Sequence, residues 1–206
     1  MVLSTLHQSS LGTFFVLVPG KLHPLWNTIL LPLLFFTSAI VMAIGVVSLM
    51  TALAYGTLVR WDPAPLTARL LRWLPWAVGL YLILKVGDLV ARGQVGELFT
   101  GSPEAGLFWL ELALIVLPAV LALQPRLRSS RRGQGWLGAL VVAGVILNRF
   151  NVSHFGLRAW TAAGYVPSLP ELAISLGLMA ATVLAFIAIA ENLPVFSHRP
   201  PADRGA

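Results

Sequence analysis

The chain has no cysteine. Disulfides, thiolate ligation of an iron–sulfur cluster and thiol catalysis are therefore excluded within these residues. Charge is also scarce: 11 % of the 206 residues are Asp, Glu, Lys or Arg, against about 25 % in a soluble globular domain. The polar/apolar alternation of a β-barrel strand is missing, and so is a glycine loop of the kind that cradles phosphate. These lacks exclude a water-soluble domain, a disordered tail and a nucleic-acid module. What the sequence does have is apolar surface. Hydrophobic residues make up 57 %, mean hydropathy is +0.83, and long apolar stretches lie between small clusters of charge. The net charge of +6 and the pI near 10.8 suggest a polyanion at first sight. The basic residues, however, stand at the ends of apolar runs, where membrane topology alone explains them.

A bilayer core about 30 Å thick needs roughly 20 apolar residues of helix. Five segments meet this: Trp26 to Leu58, Leu71 to Ala91, Gly106 to Leu123, Gly135 to Val152 and Leu169 to Leu193. The fold expected is all-α, a polytopic transmembrane bundle of about five full spans with an N-terminal partial helix before them. It forms a single domain over residues 1–196, followed by a polar tail at 197–206. Met1 to Val18 is too short to span and re-emerge, and it lacks the basic start of a signal peptide. Pro19-Gly20 and Pro63-Ala64-Pro65 read as turns.

Loop charge sets the expected orientation. Arg60, Arg69 and Arg72 accompany Asp62 between the first two spans, and Arg126, Arg128, Arg131 and Arg132 lie without an acid between the third and fourth. The positive-inside rule puts both connections in the cytoplasm. The C-terminal tail, with Arg199 and Arg204, then also lies there, and Lys21, His23, His154 and Arg158 face outward. The expected location is the inner, cytoplasmic membrane, crossed several times.

Ionisable groups inside spans are costly and are functional candidates by default. Lys85 and Asp88 lie roughly 10 Å and 6 Å below the boundary at Arg92, and Glu111 about 8 Å below Gly106. His7, Lys85, Asp88, Glu111 and Arg149 thus share a level in the outer half of the bilayer. Lys85, Asp88 and Arg92 follow i, i+3, i+7 and form an alternating-charge ladder, which a local ion pair with snorkelling side chains would explain. Glu111 has no basic residue at i±3 or i±4. It is either protonated or paired across helices, with Lys85 and Arg149 as the available partners. A carboxyl of tunable pKa at that depth suits proton transfer; a structural hydrogen bond is the plainer alternative.

Bis-histidine ligation of haem needs histidines in facing spans, whereas His7, His23 and His154 lie near the outer surface and His198 in the tail. Neither a haem nor a metal site is expected. The chemistry left is that of a lipid-soluble carrier such as a quinone, which needs hydrogen-bond donors, an apolar slot and a proton path. The aromatics Trp26, Phe108, Trp109 and Trp160 share the level of the polar groups, although an interfacial belt accounts for them equally. The Asn151-Val152-Ser153 sequon carries no weight.

Several strings are similar to a known family: His7-Gln8-Ser9-Ser10-Leu11-Gly12, Lys21-Leu22-His23-Pro24-Leu25-Trp26 and Leu84-Lys85-Val86-Gly87-Asp88-Leu89. Phe108-Trp109-Leu110-Glu111, Leu147-Asn148-Arg149-Phe150-Asn151 and Tyr165-Val166-Pro167-Ser168 leading to Glu171 complete the set. In this order and spacing they resemble the NrfD/PsrC superfamily, most closely its HybB-type branch, the membrane subunit of quinone-linked nickel–iron hydrogenases. The resemblance spans nearly the whole chain and only the C-terminal half of the family pattern.

It implies a haem-free subunit that anchors a periplasmic iron–sulfur protein and a catalytic subunit of nickel–iron hydrogenase or molybdopterin type. Such a subunit exchanges electrons with menaquinone or ubiquinone. Two departures stand out: Met50 where the family pattern has a glutamate, and Lys85 and Asp88 where Arg and Glu are expected. The second keeps charge but not reach or forked geometry. In this reading His7 donates to a quinone carbonyl or relays a proton, Glu111 carries protons, and Lys85, Asp88 and Arg149 position them. The alternatives are a structural anchor without quinone activity and, less favoured, a transporter built from a duplicated five-helix unit.

Overall fold

A computed structural model describes residues 10, 12–17, 22–54, 63–156 and 168–192. His7, Trp160, Arg158, His198 and the tail lie outside the described residues. The elements are α1 (Leu31–Ala54), α2 (Ala64–Leu71), α3 (Leu74–Ala91), a 3₁₀ turn (Val95–Phe99) and α4 (Pro103–Leu121). They continue with α5 (Pro125–Ser129), α6 (Arg131–Phe150), a π-helical turn (Asn151–Phe155) and α7 (Leu169–Asn192). The described residues contain no strand. Two compact units result, Met1–Ala162 and Ala163–Ala206.

Four helical stretches are long and apolar enough to cross a membrane: Leu31–Leu53, Ala64–Ala91, Pro103–Leu121 and Arg131–Phe155. They match the first four predicted spans to within a few residues at most ends. The fifth prediction falls on α7, a 24-residue helix described by itself. Its start is closed by Glu171, whose carboxylate accepts from Ser168 N–H at 2.9 Å. Of the predicted N-terminal partial helix, residues 12–16 are helical.

Two boundaries differ from the sequence reading. The first span begins at Leu31 rather than Trp26, because Leu22 to Leu30 fold into turns that bury Leu22, Leu25 and Trp26. Hydropathy cannot tell such a buried loop from the start of a helix. Pro63-Ala64-Pro65 is not a free turn either: Pro63 is the N-cap of α2 and Pro65 sits in its first turn. Proline suits that position because the N–H it lacks would have had no intrahelical partner. The same device opens α3, α4 and α5. Serine hydroxyls cap two of the helices, Ser102 accepting from Ala105 N–H and Ser130 from Gly133 N–H. At the end of α3, Gly93 takes φ +68°, a left-handed conformation that reverses the chain toward the 3₁₀ turn.

Within the first unit, α6 is central and packs against α1 and α4, while α3 contacts α1 and α4. The approach of α1 to α6 depends on small residues. A Cβ at Gly138 would lie 2.6 Å from the Gly45 carbonyl oxygen and 2.7 Å from Leu49 N, so only glycine allows this crossing. Gly135 meets Ala52 and Gly138 meets Gly45, which makes α1 and α6 antiparallel.

Two apolar clusters fill the unit. One joins Val41, Leu74, Val78, Ile115, Leu137 and Val141. The other joins Leu25, Trp26, Phe35, Leu89, Phe108 and Val152. Between them along α3, α4 and α6 lies a layer of buried polar side chains.

Candidate functional site

That layer is built on Glu111, which is fully buried in α4. Lys85, near the end of α3 and 5 % exposed, forms an ion pair with Glu111 Oε1. Tyr81 stands one turn before Lys85 on the same face of α3. Its hydroxyl donates to Glu111 Oε1 at 3.2 Å and accepts from Lys85 Nζ at 3.1 Å. On α6, Asn148 Nδ2 donates to Glu111 Oε1 at 2.9 Å and to the Tyr81 hydroxyl at 3.3 Å. Asn151, the first residue of the π turn, donates to Glu111 Oε2 at 2.9 Å and to the Leu107 carbonyl at 3.3 Å. Both carboxylate oxygens are therefore engaged, by groups from α3, α6 and the π turn. Lys85 Nζ also lies 4.6 Å from the Phe108 ring centroid, a cation–π contact in a dry environment.

Of the two partners open to Glu111, the chain uses Lys85. Arg149 turns to α1 instead. Its Nη2 donates to the Phe35 carbonyl at 3.1 Å and to Ser38 Oγ at 3.0 Å, and its Cζ lies 3.8 Å from the Phe35 ring centroid. Its Nη1 reaches Asn148 Oδ1 at 3.1 Å, so Arg149 supports the Glu111 layer through Asn148 rather than by touching the carboxylate.

The charge ladder on α3 divides in two. Lys85 leaves it for Glu111, and Asp88 pairs with Arg92 at 2.8 Å. Asp88 Oδ1 also accepts from Thr28 Oγ1 at 2.7 Å, and Arg92 Nη1 donates to the Pro24 carbonyl at 2.7 Å. This second cluster ties the loop before α1 to the end of α3. A cleft lined by Trp26, Thr28, Asp88 and Arg92 on one side and Tyr81, Lys85 and Asn148 on the other lies between the clusters. Its volume of about 10 Å³ has room for roughly one water molecule. Trp26 Nε1, in its wall, is buried without a hydrogen-bond partner.

Lys85, Asp88, Glu111 and Arg149 thus come together at one level, as two linked clusters; His7 lies outside the described residues. Tyr81 and Thr28 were not singled out from the sequence, and Asn148 and Asn151 entered only as part of a family string and a sequon, with no role assigned. Tyr81 at i−4 from Lys85, and Asn148 and Asn151 at i and i+3 in an apolar helix, carried a usable signal, but attention to ionisable groups alone passes over neutral donors. Asn151 is completely buried against Glu111, so the sequon around it serves packing. The aromatic-belt reading fails for Trp26 and Phe108: both are core residues, with ring centroids 6.3 Å apart. Trp109 is half exposed, and its Nε1 donates to the Leu98 carbonyl.

A multi-pass α-helical membrane protein with a buried carboxylate–ammonium pair in its helix bundle is the class these features define. The chain belongs to the NrfD family: the family model described as polysulphide reductase, NrfD, matches residues 2–158. It is 28 % identical over 198 residues to the probable Ni/Fe-hydrogenase 2 b-type cytochrome subunit of Escherichia coli K12, covering 94 % of this chain and 50 % of that one. It is 32 % identical over 212 residues to a protein of Nitratidesulfovibrio vulgaris Hildenborough, covering 97 % of this chain and 54 % of that one. The chain therefore spans about half the length of the curated relatives it matches. No solved structure matches it.

Proposed function

We propose that this chain forms part of the membrane subunit of a respiratory oxidoreductase of the HybB type. It passes electrons between an iron–sulfur partner on the outer face and the membrane quinone pool, and the complex includes a catalytic subunit of hydrogenase or molybdopterin type. The observation that carries this reading is the buried Glu111–Lys85 pair, with Tyr81, Asn148 and Asn151 around it, in a chain of the NrfD family. Reduction of a quinone to a quinol takes up two electrons and two protons. The electrons come from the iron–sulfur partner. The protons need a path through protein, and a carboxylate, an ammonium and a phenol in hydrogen-bond contact provide one. Asp88 and Arg92, across a cleft that admits about one water, lead from this group toward the end of the bundle.

The chain acts without haem. The described histidines, His23 and His154, stand in the loop before α1 and in the π turn, and His23 Nδ1 accepts the Leu25 N–H at 3.3 Å. In this respect the reading differs from the word cytochrome in the name of the Escherichia coli relative. The inner membrane, with the arginine-rich connections and the C-terminus in the cytoplasm, completes the proposal.

The small cleft also favours a second reading, a structural anchor that docks a partner and binds no quinone. Glu111→Gln in the intact membrane complex separates the two. Quinone reduction is expected to slow at least about tenfold, while the partner's turnover with a soluble dye stays unchanged. Unchanged quinone turnover, or insensitivity of the parent complex to quinone-site inhibitors, favours the anchor.

A further inference from the structure

The end of the first unit opposite Glu111 carries a different kind of site. Gln134, buried at the start of α6, donates through Nε2 to the Ala64 carbonyl at 2.9 Å and to the Arg128 carbonyl at 2.8 Å. One amide thus holds the first turn of α2 against α5. Thr67 of α2 is likewise tied to Thr51 near the end of α1, at 3.2 Å between hydroxyl oxygens. This fastening brings together two basic segments far apart in sequence, Arg69 and Arg72 at the end of α2, and Arg126, Arg128 and Arg132 on α5 and α6. Arg69, Arg72, Arg126 and Arg132 are exposed. Arg128 is half-buried and donates to the Ala122 carbonyl at the end of α4.

No described acid of this unit balances them. Asp88, Glu97, Glu104 and Glu111 all belong to the opposite end, and Asp62 lies outside the described residues. Exposed apolar residues neighbour the arginines along the chain. Leu66 of α2 is 62 % exposed, and Trp73 and Trp136, which follow the two basic segments, are 67 % and 71 % exposed. Helix α2 buries Ala64, Thr67 and Leu71 on one side and presents Leu66 and Arg69 on the other. Guanidinium groups beside exposed tryptophans at the end of a membrane-crossing bundle form a surface for a ligand that is anionic at one end and apolar at the other.

We propose that α2, α5 and the start of α6 form a binding site for the phosphate group of an anionic phospholipid. The lipid's acyl chains lie along the apolar surface beside Trp73 and Trp136. The site is independent of the quinone reading, since it lies at the other end of the bundle and uses none of the Glu111 residues.

The test uses the full chain in a neutral detergent, with bound lipid read by native mass spectrometry. Phosphatidylglycerol and phosphatidylcholine of matched acyl chains are the probes, and inorganic phosphate is the competitor. The parent is expected to retain phosphatidylglycerol preferentially, and less so as salt rises. Arg126→Gln with Arg132→Gln should lower that retention about tenfold to thirtyfold. Arg126→Lys with Arg132→Lys preserves loop charge and membrane insertion; it should still weaken retention several-fold, because lysine cannot bind phosphate in a forked geometry. Equal retention of the two lipids by the parent, or full retention by the glutamine variant, overturns the proposal. Displacement of the lipid by millimolar inorganic phosphate also overturns it, in favour of a site for the free ion.

Discussion

Asn151 donates its side-chain amide to Glu111 Oε2 at 2.9 Å, which leaves Oε1 to Lys85, Tyr81 and Asn148. The partition matters because it engages both oxygens of a fully buried carboxylate. A charged pair in low dielectric is held only when its remaining lone pairs and protons are also satisfied. The π turn begins at Asn151, and such turns are frequent where a helix must place functional side chains.

The ion pair should behave as a unit. Glu111→Leu alone strands the Lys85 ammonium in an apolar layer and is expected to cost about 3–5 kcal/mol of stability. Lys85→Met combined with Glu111→Leu removes both charges and should recover most of that loss. Thermal unfolding of the four members of the cycle in detergent measures the coupling. Simple additivity would mean that the two residues do not interact.

Arg149 serves through its fork. One guanidinium reaches Asn148, the Phe35 carbonyl and Ser38, and stacks on the Phe35 ring. Lysine can keep the charge but not this set of contacts. Arg149→Lys is therefore expected to lose about 1–3 kcal/mol, and Phe35→Leu about 0.5–1 kcal/mol through the ring contact. If Arg149→Lys melts with the parent, the charge alone matters at this position.

The helix packing allows a matched pair of glycine substitutions. A Cβ at Gly138 meets backbone atoms of Gly45 and Leu49 inside contact distance, and backbone cannot move aside cheaply. Gly138→Ala should separate α1 from α6 and destabilise the protein by about 1–3 kcal/mol or more. Gly87, on α3, has nothing within 4 Å of such a Cβ. Gly87→Ala should be neutral or slightly stabilising, by up to about 1 kcal/mol. Equal melting temperatures for the two variants would show that the close approach is not what holds these helices.

How far the sequence was legible follows from what hydropathy measures. Apolar runs between arginine clusters marked the helices, because crossing a bilayer requires both features. The start of α1 was misplaced because Leu22, Leu25 and Trp26 are as buried as any helical residue, yet lie in turns. In the site, Lys85, Asp88, Glu111 and Arg149 were legible because charge at depth is conspicuous. Which partner each takes was not, since pairing depends on how α3, α4 and α6 rotate against one another. Tyr81 escaped notice, and Asn148 and Asn151 were given no role, because neutral donors barely change the hydropathy of a helix that also carries leucines and valines.

The loop ahead of α1 gives a last prediction. It holds its turns through a clamp on the final turn of α3: Asp88 binds Thr28 and Arg92, and Arg92 reaches back to the Pro24 carbonyl. Asp88 and Arg92 have side-chain exposures of 8 % and 25 %, so solvent screens the pair only partly. Arg92→Ala removes the contact with Pro24 and leaves Asp88 with Thr28 alone, at a cost of about 1.5–3 kcal/mol for hydrogen bonds to a charged group. That cost falls on the loop more than on the helices, which keep their own packing. Chymotrypsin, which needs an extended segment, should therefore begin to cut the parent's protected Leu25 and Trp26 in the Arg92→Ala variant. Thr28→Val, which removes a single bond from Asp88, should increase cleavage less. If both variants resist the protease as the parent does, the loop is held by the burial of Leu22, Leu25 and Trp26 instead, and the Asp88–Arg92 pair adds nothing to it.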